Sequence, residues 1–258
     1  MDLLISGYIS VSSVIKAKSR EVKQIFFDIE RKNRICSSSY HYAEKKQYEF
    51  LTRFANENKI ELIYLSAEDF FSLTKTPGGV AATVGEKKFI TIDELLEQGG
   101  KKGFYLAVDG VEDPYNLGYL LRTAHAFGCD GVIMPERDFS NGESVMVRSS
   151  AGAFEFLNIA LYNSGEMFAE GLKAKGVSLV CTSSGGRAQS LRHFNPSPPL
   201  CLVIGGERRG IKKSLIENAD SLVKIDCLRG EFSLSAFSAS SILIYAISEK
   251  LLKAETPG

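Results

Sequence analysis

The chain has no tryptophan, only three histidines and seven prolines in 258 residues, and its 31 basic residues are cancelled by 31 acidic ones. A formal charge of zero argues against a protein that coats nucleic acid by bulk electrostatics, because such domains carry a clear positive excess. His41, His125 and His193 stand isolated, with no serine, aspartate or cysteine arrangement around them that would make a hydrolytic triad and no metal-ligand spacing. Five cysteines (Cys36, Cys129, Cys181, Cys201, Cys227) contain no Cys-x-x-Cys pair and are expected to be reduced, mostly buried and structural. No apolar run approaches the roughly 20 residues that span a bilayer, and the segment after Met1 and Asp2 is too short and interrupted for a signal peptide. A soluble, cytoplasmic protein with neither membrane nor metal is therefore expected.

Two phosphate-binding signatures are also missing. Ile211 follows Gly210 where a Walker loop needs lysine and then serine or threonine, and no G-x-G-x-x-G follows the first strand-like run, so a dinucleotide oxidoreductase is excluded.

With 44% apolar and 24% charged residues, the chain is long enough to bury one large core or two smaller ones. Apolar spacing predicts a helix over residues 8–18, a strand from Val22 to Ile29, a helix from Ala43 to Asn58, a strand from Ile60 to Leu65 and a helix opening at Ser66. Pro77-Gly78-Gly79 breaks the chain before a short strand at Val80 to Val84. This makes a small α/β domain of residues 1–90. Between Lys16 and Arg34 basic residues, Arg20 and Lys23 among them, outnumber acids, which fits either phosphate contact or an ordinary solvated face.

Residues 91–103 read as a linker with a short helix at Ile92 to Leu96, and residues 104–258 as a second domain. There, strand-like runs at Phe104 to Val108, Gly131 to Met134, Val177 to Thr182, Leu200 to Ile204 and Leu222 to Ile225 alternate with helical segments, as in a parallel sheet covered on both faces. A long, mostly apolar helix from Ser235 to Lys253 closes the chain.

Three constellations could carry chemistry. In Asp113-Pro114-Tyr115-Asn116, Asn116 is expected at a helix N-cap with Arg122 about 240° further round the axis, an arrangement equally compatible with a cap and a surface arginine. Gly205, Gly206 and Gly210 punctuate a strand-to-helix turn where main chain approaches a ligand closely and Glu207 accepts hydrogen bonds, or where the turn is merely tight. Ser233, Ser235, Ser238, Ser240 and Ser241 surround the start of the last helix, where capping accounts for one or two of them.

The order and spacing of these three stretches resembles the SpoU (TrmH-type) family of RNA ribose 2′-O-methyltransferases of the SPOUT superfamily, over residues 104 to 250; Val147 to Ala153 resembles a stretch usual between the first two. Residues 1 to 90 resemble, more weakly, the RNA-binding domain that precedes the catalytic domain in ribosomal-RNA members. The resemblance implies an α/β fold whose parallel sheet is tied in a trefoil knot, a homodimer, and S-adenosyl-L-methionine held by main chain at Gly205, Ile225 and Leu234, with Gly206 and Gly210 shaping the turn. It implies that Asn116, Arg122, Glu207, Ser233 and Ser235 line the reaction centre, and that the substrate is RNA, ribosomal rather than transfer RNA. The family's third motif usually reads Ser-Leu-Asn; here Ser235 stands in place of the asparagine and Asp226 where proline is common. A catalytically silent RNA-binding or ribosome-assembly protein that keeps the knotted fold is the alternative.

Overall fold

A computed structural model of the protein describes residues 2–38, 41–76, 78–139, 142–183, 185–229 and 234–255. In chain order it begins with β1 (Leu3–Ser6), α1 (Tyr8–Ala17), β2 (Val22–Asp28), α2 (Ile29–Ser37), α3 (Tyr42–Asn58), β3 (Glu61–Leu65), α4 (Ala67–Thr74) and β4 (Val80–Val84). It continues with α5 (Ile92–Gly99), β5 (Phe104–Asp109), α6 (Pro114–Ala126), β6 (Gly131–Pro135), α7 (Glu143–Ser149), α8 (Ala153–Phe156), β7 (Ile159–Tyr162) and α9 (Gly165–Ala174). The last elements are β8 (Ser178–Thr182), β9 (Gln189–Ser190), β10 (Leu200–Gly205), α10 (Lys213–Glu217), β11 (Ser221–Lys224) and α11 (Ala236–Glu255). The chain divides into two compact units, residues 1–88 with 139–156 and residues 89–138 with 157–258. No helix of the described residues is long and apolar enough to cross a membrane.

The first unit is built on a four-stranded sheet in the order β1-β4-β2-β3, with β2 and β3 parallel and the β4 pairings antiparallel. Val22, Ile25 and Phe27 of β2 are buried, and α3 buries Tyr48, Leu51 and Ala55, spaced at three and four residues on one face, with the Tyr48 ring 5.2 Å from that of Phe27. Ser66 caps α4 as its sequence predicts, its hydroxyl accepting from the Asp69 N–H at 3.1 Å. Residues 139–156, assigned by sequence to the second domain, pack here instead, for a physical reason. Arg20, in a stretch that fits either phosphate contact or a solvated face, is buried instead, and its guanidinium reaches Glu143 at 2.8 Å and Glu155 at 2.9 Å. Both Arg20 and Glu155 are fully desolvated, so each charge needs the other. Lys23 likewise spends its charge on Asp2 at 2.6 Å. The basic stretch between Lys16 and Arg34 is thus less positive than its composition suggests.

The second unit carries a seven-stranded sheet in the order β7-β6-β5-β10-β8-β11-β9, every recorded pairing parallel. β5 is buried throughout and β10 nearly so, which explains why both read as unbroken apolar runs. Tyr105, Ala107, Ile133, Leu172, Leu179, Val203 and Leu215 form the core against α5, α9 and α10. Three cysteines, Cys129, Cys181 and Cys201, are buried and free, and burial pushes the Cys181 thiol up to about 12, so it stays protonated. Cys36 and Cys227 are exposed.

Candidate functional site

The strand order fixes where a site can form. From β5 the chain moves outward to β6 and β7, whereas from β10 it moves the other way to β11, so the two adjacent strands diverge at their carboxyl ends. In open parallel sheets this switch point is where ligands lodge. A cavity of about 390 Å³ lies there, walled by Gly110 to Asp113 after β5, Gly206 to Arg209 after β10, Asn116 and Leu120 of α6, and Ala236 and Phe237 at the start of α11.

The two loops lie so close that only glycine fits. A Cβ on Gly206 would stand 1.8 Å from the Gly110 carbonyl oxygen, and one on Gly205 would stand 2.6 Å from the carbonyl carbon of Gly210. Gly210 itself adopts φ +62, a left-handed conformation, with open space where a side chain would stand.

Asp109, the last residue of β5, ties the loops together. Its carbonyl accepts the Gly206 N–H at 2.8 Å, and its carboxylate Oδ2 accepts the Lys212 N–H at 2.7 Å, so the turn that carries Glu207 is held at both ends. Tyr162, at the end of β7, donates its hydroxyl to Oδ1 at 2.9 Å and fixes the carboxylate's orientation. Burial first, and the neighbouring Asp109 charge second, push the Tyr162 phenol far up, which keeps it a donor at every ordinary pH. The Lys212 ammonium lies 3.8 Å from Oδ1 and 5.0 Å above the Tyr162 ring, partly offsetting a carboxylate that is almost wholly buried. Sequence reading missed this trio. An acid directly ending the apolar run Phe104 to Val108 was its one visible signal; nothing local marks Tyr162.

The expected site residues are placed as follows. Asn116 is on the cavity wall, but it is not the N-cap of α6: Asp113 is, accepting the Asn116 N–H at 2.8 Å, with Pro114 at the first helical position. Proline suits that position because the N–H it lacks has no intrahelical partner, and Asn116 falls three residues after the Asp113 cap, its amide exposed. Glu207 is on the wall, its carboxylate accepting the Ala236 N–H at 3.2 Å at the amino end of α11, where the helix dipole favours an anion. Ser235 caps the same end, its hydroxyl accepting the Ser238 N–H at 3.1 Å. Gly206 is on the wall, while Gly205 ends β10 and Ile225 follows β11, both at the carboxyl edge of the sheet. Leu234 is exposed. Arg122 is exposed on α6 and is not on the cavity wall. Ser233 lies outside the described residues. Asp226 accepts a hydrogen bond from the Ser190 hydroxyl of β9.

This arrangement defines an α/β protein with a ligand cavity at the switch point of a parallel sheet, bounded by a glycine turn, a carboxylate and an exposed amide. Residues 103–245 match the model of the SpoU rRNA Methylase family, and the chain belongs to that family. It is 31% identical over 175 residues, 67% of this chain and 70% of the relative, to YacO of Bacillus subtilis, named for the TrmH family of tRNA/rRNA methyltransferases. A relative from Staphylococcus saprophyticus, named for the same family, is 30% identical over 211 residues, covering 80% of this chain and 84% of its own. Among solved structures, the fold is similar to the SpoU methyltransferase AviRb from Streptomyces viridochromogenes in complex with AdoMet, with a TM-score of 0.78 at 22% identity, covering 98% of this chain and 91% of that one. An AdoMet-bound rRNA methyltransferase from Sinorhizobium meliloti gives a TM-score of 0.77 at 21% identity, over 96% of this chain and 87% of its own.

Proposed function

We propose that this RNA methyltransferase family member transfers a methyl group from S-adenosylmethionine to a ribose 2′-hydroxyl in structured RNA, ribosomal rather than transfer RNA, as a cytoplasmic homodimer whose second unit is tied in a trefoil knot. The observation that carries the reading is the cavity at the ends of β5 and β10, where Asn116, Glu207 and the amino end of α11 converge on the main chain of Gly206. The residues fit the methyl donor: the left-handed turn at Gly210 leaves open space where a side chain would stand, and the main chain of Gly205, Ile225 and Leu234 would hold it as the family resemblance implies. When bound, S-adenosylmethionine supplies an electrophilic methyl on a sulfonium.

The chain's own part is placement and charge. In-line approach of the ribose oxygen needs a fixed cavity floor, which the Asp109 clamp supplies. Asn116 has an amide free to orient a hydroxyl, and Glu207 holds the first turn of α11 so that Ala236 and Phe237 keep their places on the wall. Arg122 holds a phosphate beside the reacting ribose and stabilises developing alkoxide charge.

A second copy of the chain accounts for two further facts. Tyr115 and Tyr119 of α6 and Ile242 and Tyr245 of α11 are exposed together on packed helices, a surface suited to self-association. Arg122 shares α6 with that surface, so a partner would bring it near a reaction centre. The silent RNA-binding reading draws on Ser235, whose short hydroxyl is already occupied as a cap. The two separate on one assay. Incubation with structured ribosomal RNA and methyl-labelled S-adenosylmethionine, then alkaline hydrolysis, leaves labelled alkali-resistant dinucleotides if the 2′-oxygen is methylated; absence of label from RNA that the protein does bind establishes the silent reading.

A further inference from the structure

A second cavity, of about 670 Å³, lies wholly within the first unit. Its volume falls in the range of pockets that enclose a ligand the size of a nucleotide, roughly 300 to 1,000 Å³. A bare inorganic anion would leave most of it empty. Its described wall carries no aspartate or glutamate and two guanidiniums, Arg31 from α2 and Arg148 from the last turn of α7.

The amino end of α1 opens on the same space. Gly7 starts this ten-residue helix at φ 90 with no side-chain cap and no acid in the first turn, and the first intrahelical donor is Val11, whose N–H reaches the Gly7 carbonyl at 3.1 Å. The N–H groups of Tyr8, Ile9 and Ser10 therefore precede the helix's own hydrogen-bond ladder, and the dipole adds positive potential there. Independently, the Thr76 hydroxyl, on the wall, is buried and has no hydrogen-bond partner among the described residues. A buried polar atom left unpaired is costly unless a ligand completes it. Tyr8 and Ile9 give the wall an apolar part, and Gln47 of α3 brings an amide that both donates and accepts.

We propose that this cavity is a nucleotide site of the first unit, taking one phosphodiester-linked nucleotide of the RNA that the second unit methylates. The phosphate is held by the first turn of α1 with Arg31 and Arg148, the base lies against Tyr8, and its edge is met by Gln47 and Thr76. The site rests on the RNA reading of the previous section. It gives the Val147 to Ala153 motif a use, because Arg148 and Ala151 both line it.

Ile9 is 57% exposed at the second position of α1, so Ile9→Glu adds an anion at the cavity mouth at a position where helices tolerate acids well. Binding of a fluorescein-labelled single-stranded RNA decamer to the full chain is followed by anisotropy at several salt concentrations. Ile9→Glu is expected to weaken RNA binding by at least about tenfold and to flatten the salt dependence, whereas Ile9→Gln stays within about twofold of wild type. Thermal midpoint and S-adenosylmethionine affinity stay at the wild-type value in both, which separates loss of this site from loss of the fold. RNA binding by Ile9→Glu equal to wild type overturns the site while leaving the methyltransferase reading intact. Absence of RNA binding by the wild type overturns both, and adenosine monophosphate binding more tightly than the decamer assigns the cavity to a free nucleotide and overturns the proposal.

Discussion

Removing a single oxygen tests whether the Asp109 clamp holds the site together. In Tyr162→Phe the 2.9 Å hydrogen bond to Oδ1 is lost, leaving Asp109 with the Lys212 N–H and the distant Lys212 ammonium. A hydrogen bond to a charged acceptor contributes about 1.5–3 kcal/mol, and that is the expected fall in unfolding free energy by urea titration. Asp109→Ala removes both carboxylate bonds and strands the buried Tyr162 hydroxyl and the part-buried Lys212 N–H, so its cost is larger, about 3–5 kcal/mol. Asp109→Asn falls between them, because the amide oxygen still accepts from Lys212 while its NH₂ faces the tyrosine oxygen. Function should follow a different scale from stability. The clamp fixes the turn from Gly206 to Lys212, so Tyr162→Phe, still folded, is expected to bind S-adenosylmethionine about tenfold more weakly by calorimetry, or about 1.4 kcal/mol. Stability within about 0.5 kcal/mol of wild type together with unchanged cofactor affinity would refute the clamp.

Gly206→Ala forces a methyl into the Gly110 carbonyl and should destabilise the second unit by about 3 kcal/mol or more, read by thermal denaturation; a wild-type midpoint would show the loops are not in contact. Lys87 is buried beneath Phe154, and desolvation lowers its ammonium from 10.5 to about 8. The unfolded chain therefore binds more protons between about pH 8 and 10.5, so stability should rise with pH across that window by about 3 kcal/mol and lack that contribution below it. Lys87→Met should abolish this increment in a wild-type-minus-mutant urea comparison, and an identical rise in both proteins would count against it. Ser235→Asn keeps a good cap for α11 and supplies the amide that the family resemblance leads one to expect there, so it should leave the thermal midpoint unchanged and raise methyl transfer several-fold, whereas Ser235→Ala should cost about 1 kcal/mol through the lost cap.

The parts of the fold that could be read from sequence are those set by local pattern. β5 and β10 showed as apolar runs because both faces are covered, and the Ser66 cap and the α3 face followed from spacing alone. What stayed hidden depends on partners far along the chain. Glu155 returns residues 139–156 to the first unit through an arginine 135 positions away, and Tyr162 reaches Asp109 across 53. The four-residue strands β1 and β7 are too short for alternation to register. Pro114 marks the first helical turn, and that residue in the sequence already points to a cap at Asp113 rather than at Asn116. The cavity's members Asn116, Gly206 and Glu207 were found through motif order rather than spacing, which alone left a bland reading open for each.

The proposed methyl-donor site lies between the ends of β5 and β10. Isothermal titration of the full chain with S-adenosylmethionine tests it most directly: saturable heat with micromolar affinity, lost in Gly206→Ala protein that still folds, is the predicted result. No heat at millimolar ligand would contradict it.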